Sequence, residues 1–139
     1  MVADAAIVGL DVGTRYTGVA VAQRSPAIAL PHCVIEARTF EALWKSLESM
    51  PVTSRTEAWV LGLPLTSAGQ TGKQAALVHK FARYLSYRHP APIWLIDERM
   101  TSQAAARTSD TDRHDASAAA LILASYLSAP ELARRAELA

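Results

Sequence analysis

Residues 5–22 read AAIVGLDVGTRYTGVAVA. An apolar run stops at Asp11, turns at Gly13 and resumes from Gly18 to Ala22, the pattern of two short strands joined by a tight turn. A carboxylate ending a buried strand is costly unless something pairs with it or binds it. Asp11 therefore needs a partner, and the rest of the chain can be searched for one.

Downstream, SPAIALP (25–31) holds two prolines and reads as a loop, and HCVIEA (32–37) as a third strand, which makes an antiparallel meander. The period then changes. From Thr39 to Met50, Phe40, Leu43, Trp44 and Leu47 recur at helical spacing, with Thr39 placed as N-cap. AWVLGLP (58–64) is a fourth, fully buried strand stopped by Pro64. The glycine-rich loop LTSAGQTGK (65–73) leads into a helix with Leu77, Phe81, Tyr84, Leu85 and Arg88 on one face. PIWLIDER (92–99) is a fifth strand, Thr101 caps a short helix over SQAAAR, and a last helix runs from about Asp115 to Leu127. The tail ELARRAELA is expected as a short helix or a frayed end. The order β-β-β-α-β-α-β-α-α implies an α/β fold: a mixed five-stranded sheet with helices on both faces, as one domain over 1–139.

Half of the 139 residues are apolar and 19% are charged, as in a soluble globular chain. No apolar run is long enough to span a membrane, and MVADAAIVGL reads as the first strand rather than a signal peptide. The lone cysteine, Cys33, excludes an internal disulfide, fits a reducing cytoplasmic setting and reads as a small apolar core residue. His32, His79, His89 and His114 lack the spacing of a zinc site. Trp44, Trp59 and Trp94 fall at core positions rather than forming a stacking platform. The net charge of +1 does not by itself argue for a nucleic-acid partner, although 11 of the 14 basic residues are arginine, whose planar fork suits phosphate.

Three acidic positions acquire a geometry from this order. Asp11 ends strand one, and Asp97 and Glu98 end strand five. Asp115 opens the last helix on the face of Ala119, Ile122, Leu123 and Tyr126, which must pack on the sheet. If strands one and five lie close, these acids meet at one rim, the oxygen-rich set that hard divalent cations require. Each acid alone has a plainer reading as a turn former, a helix cap or an exposed ion-pair partner. Asp112 is read as a loop residue.

Taken together, GLDVGTRYTGVAVA, VLGLPLTSAGQTG, DERMTS and DASAAALILASYL span the chain in the order and spacing of the YqgF family, also called RuvX, which it resembles. The resemblance implies an RNase H-like fold and a nuclease that uses Mg²⁺ or Mn²⁺. That family is grouped with Holliday-junction resolvases and proposed to process the 5′ end of precursor 16S rRNA. It makes Asp11, Glu98 and Asp115 the catalytic acids, with Asp97 beside them as a further metal ligand. It also implies nucleic acid as partner; we expect RNA ahead of DNA, and a monomer or weak homodimer. Where the family often carries lysines before the last aspartate, this chain reads SDTDRHD.

Arg15, Arg99, Arg107 and Arg113 lie next to the acidic motifs and are candidates to hold the phosphate backbone, together with Lys73 at the end of the glycine-rich loop. Rival readings are a resolvase acting on branched DNA and a non-catalytic RNA- or ribosome-binding module. The first motif also resembles the phosphate loop of the actin, Hsp70 and sugar-kinase superfamily. Those proteins close on nucleotide between two such domains, and this chain has room for one.

Overall fold

In the computed structural model, residues 5–64, 72–98 and 116–136 are described. Strands β1 (Ala6–Asp11), β2 (Tyr16–Gln23) and β3 (Leu30–Glu36) come first, followed by helix α1 (Phe40–Glu48) and a 3₁₀ turn (Pro51–Arg55). Then come β4 (Thr56–Leu63), α2 (Lys73–Arg88), β5 (Ile93–Asp97), α3 (Ser117–Ser128), a second 3₁₀ turn (Pro130–Leu132) and β6 (Arg134–Arg135). The helix expected after Thr101 lies outside the described residues.

One mixed sheet runs β3-β2-β1-β4-β5-β6. β1, β2 and β3 form the expected antiparallel meander, while β1, β4 and β5 run parallel. The sheet has six strands, not the five expected from sequence. The extra one is the tail segment Arg134–Arg135, antiparallel on β5, with Ala136 N–H donating to the Ile93 carbonyl at 2.9 Å. Two charged residues carry no alternation to read; the open edge of β5 supplies the hydrogen bonds that make them a strand.

Strand alternation divides the core between two faces. Val8, Leu10, Trp59, Leu61, Ile93 and Leu95 lie with Leu43, Trp44 and Leu47 of α1 and Val78, Phe81 and Leu85 of α2. Ala20, Ala22, Val60 and Ile96 lie with Ala119, Ile122 and Leu123 of α3. The second face is paved with small residues, so α3 comes very close. A Cβ on Gly9 would stand 2.8 Å from Leu123 Cβ and 3.1 Å from the Ala119 carbonyl oxygen, which only glycine avoids.

The first helix starts where its sequence signal placed it: Ala42 N–H donates to Thr39 Oγ1 at 3.1 Å. Behind α2, His89 ties three segments together. Its Nδ1 accepts from Trp59 Nε1–H at 3.1 Å, and its Nε2 lies 3.1 Å from the Thr53 carbonyl oxygen. The ring is therefore the neutral tautomer with the proton on Nε2, since Nδ1 must accept. Among the described residues no helix is long and apolar enough to cross a membrane.

Candidate active site

Three parallel strands finish at one edge of the sheet: β1 at Asp11, β4 at Leu63 and β5 at Asp97. Leu10 pairs with Leu61, Gly62 with Ile96 and Leu63 with Asp97, so the ends are level. Sites in open α/β sheets gather at such carboxyl ends.

Alternation decides which acids share a face. Gly9 lies against α3, so Asp11, two residues on, is on that face as well. Glu98 follows β5 and is only 7% exposed. Its Oε1 sits 2.7 Å from where a Cβ on Gly62 would stand, and Ile122 of α3 bounds the same space, so its carboxylate is also on the α3 face. Asp11 and Glu98 thus come from the two strands that flank β4, over a floor left open by Gly62. Neither carboxylate is isolated, since both make polar contacts.

Asp97 goes the other way. It pairs with Leu63, which packs in the core under α1 and α2, so the sheet separates Asp97 from Asp11 and Glu98. In α3, Ile122 lies at Gly62, whereas Tyr126, one turn later, meets Trp94, further back along β5. The helix therefore runs away from the rim, and its first residues, after the buried Ala116, lie at the rim end. Asp115, immediately before them, lies outside the described residues, as do Asp112, Arg99, Arg107 and Arg113. Among the described residues no three His, Cys, Asp or Glu side chains form a metal-binding group.

Two of the expected phosphate-binding cations are placed. Arg15 lies on the β1–β2 turn, its Nε donating to Glu36 Oε2 at 2.9 Å and its guanidinium 5.0 Å from the Tyr16 ring centroid. The hydrogen bond to Glu36 raises its already high pKa further. Lys73 is exposed in the first turn of α2. That turn is fastened beside the rim, because Gln74 Nε2 donates to the Val12 carbonyl at 3.0 Å. Cys33 is half-buried on β3, and burial pushes its thiol pKa up, in keeping with a packing role.

Sequence reasoning missed two residues here. Gly62 left a signal, a glycine inside a fully buried strand, which marks a close approach. Gln74 left none, because its acceptor is a backbone carbonyl 62 positions away.

Residues 5–129 match the RuvX family model, described as Holliday junction resolvase. A protein of Xanthomonas campestris pv. campestris, provisionally named pre-16S rRNA nuclease, is 37% identical over 142 residues, covering 94% of this chain and 92% of its own length. A protein of Thiobacillus denitrificans with the same name is 32% identical over 136 residues, covering 88% and 91%. Among solved structures, RuvC of Thermus thermophilus superposes with a TM-score of 0.57 at 15% identity, covering 94% of this chain and 99% of that one. The same protein in complex with a Holliday junction substrate gives 0.58 at 14%, with the same coverage. These likenesses show the RNase H-like fold that the sequence led us to expect.

Proposed function

The chain belongs to the RuvX family, and from that membership we propose that it is a divalent-metal-dependent nuclease hydrolysing nucleic-acid phosphodiester bonds, in the cytoplasm, at the 5′ end of precursor 16S rRNA. The observation that carries the reading is the Glu98 carboxylate, buried over Gly62 on the face that also holds Asp11.

These residues fit Mg²⁺ or Mn²⁺. Carboxylates are hard, anionic oxygen donors, and a glycine keeps clear the space that a Cβ would fill. Asp11 and Glu98 would hold the metal, with Asp115 as the third ligand that the motif implies. When bound, a pair of such ions supplies an activated water and neutralises charge on the leaving oxygen. The chain's own part is orientation. β1 and β5 fix the two carboxylates through their ladders to β4, and Gln74 anchors the backbone just after Asp11. Arg15 and Lys73 would hold the phosphate backbone beside the rim, giving affinity that does not depend on sequence.

The test is cleavage of a labelled precursor 16S rRNA 5′ fragment and of a four-way DNA junction with Mn²⁺, Mg²⁺ or EDTA. We expect cutting of the RNA that needs metal and falls at least ~100-fold in Asp11→Asn and in Glu98→Gln, because the ligands act as a unit. Equal cutting by either variant, or in EDTA, would sink the site. A second reading, resolution of branched DNA, is favoured by the family's description and wins if only the junction is cut. If the wild type cuts neither substrate, a non-catalytic binding module takes its place.

A further inference from the structure

We infer that Arg134, Arg135 and Trp94 form a second nucleic-acid contact at the β6 edge of the sheet, gripping single-stranded nucleic acid that flanks the bond held at the rim; the inference rests on the nuclease reading above. The family match ends at residue 129, so β6 lies beyond it. Both arginines are exposed, and neither makes an ion pair among the described residues, unlike Arg24 with Glu57. Among the described residues their charge is not spent on an acid.

The two are nevertheless ordered. Register sets Arg135 opposite Trp94 and Arg134 opposite Leu95. The Arg135 guanidinium lies 5.4 Å from the Trp94 ring centroid, a cation–π arrangement that holds its planar fork in place before any ligand arrives. Alternation sends Arg134 to the other face, so the pair straddles the sheet edge and a phosphodiester backbone lying along that edge meets both.

Trp94 differs from the other two tryptophans. Trp44 and Trp59 are buried, whereas Trp94 is half-buried, with its ring 6.3 Å from Tyr126 on one side and under Arg135 on another. An aromatic ring beside guanidinium groups is the combination that accommodates bases and phosphates of a single strand. Trp94 also lies on the α3 face, with Asp11 and Glu98, and on the strand that leads to Glu98. It stands three residue steps back from Asp97 at the rim, about 10 Å. That is a span of roughly three nucleotides at helical rise. The competing account is edge protection, in which any charge on a terminal strand deters pairing with another sheet. It requires no effect on nucleic acid.

The test is fluorescence anisotropy of a labelled single-stranded RNA 20-mer in EDTA across a salt series, with the full chain and Arg134→Ala/Arg135→Ala. We expect the double variant to bind about 5–20-fold more weakly. The slope of log affinity against log salt should be shallower by about 1.4, two phosphate contacts at ~0.7 each. In Mn²⁺, KM should rise while kcat stays put, because the edge does not touch the reacting phosphate. Arg134→Lys/Arg135→Lys should keep the salt slope. If alanine disturbs β6, Arg134→Gln/Arg135→Gln removes charge at similar length and is read the same way. Wild-type affinity and slope in a folded charge-removed variant would overturn the inference alone. A wild type that binds no RNA would overturn the nuclease reading, and the inference with it.

Discussion

At Gly62 the site depends on an atom that is missing. An added Cβ would stand 2.5 Å from Ile122 Cδ1 and 2.7 Å from Glu98 Oε1, so both neighbours would have to move. Gly62→Ala should cost about 1–3 kcal/mol, as overpacking does. It should also lower kcat by displacing the carboxylate, so thermal unfolding and single-turnover cleavage would both register it. Wild-type melting and wild-type kcat together would show that the space over Gly62 does not matter. At this scale Asp11 was legible, because an acid at the end of an apolar run has to be explained. The resemblance named Glu98 as a catalytic acid with Asp97 as a further ligand beside it; which of the two turns toward α3 was not legible, because neighbouring carboxylates look alike in a sequence and only the strand register separates them.

Helices and strands are joined here by a few side chains with fixed tasks. Thr39 caps α1 and could be read from residue type and position alone. His89 could not. It stands at the C-terminal end of α2 and satisfies Trp59 Nε1–H of β4 and the Thr53 carbonyl of the 3₁₀ turn, partners 30 and 36 positions away. His89→Leu would leave that donor and that acceptor unpaired in a mostly dry region. We expect a loss of about 1–3 kcal/mol by urea unfolding, with kcat of the folded enzyme unchanged because the contact is behind the sheet. An unchanged unfolding midpoint would mean that water takes over both partners. Gln74 does the same kind of work at the other end of α2, where the carbonyl it binds follows Asp11.

Across the whole molecule, the central strands β1 and β4 are covered by α1 and α2 on one face and α3 on the other, while β3 and β6 are edges. Amide hydrogen exchange should therefore be slowest at Val8, Leu10, Val60 and Leu61 and fastest in β3 and β6, since local opening follows burial. Equal protection in β1 and β3 would contradict that layering. The sequence by itself determined the first five strands, the three described helices and their order, because hydrophobic period and capping are local properties of neighbouring residues. It also determined the family, through motifs spread along the chain. Only the tertiary structure decided which acids share a face, what Gly62 and Gln74 do, and that the tail closes the sheet as a sixth strand. Each of those depends on which distant segment lies alongside, and strand register and helix packing set that after the local pieces have formed.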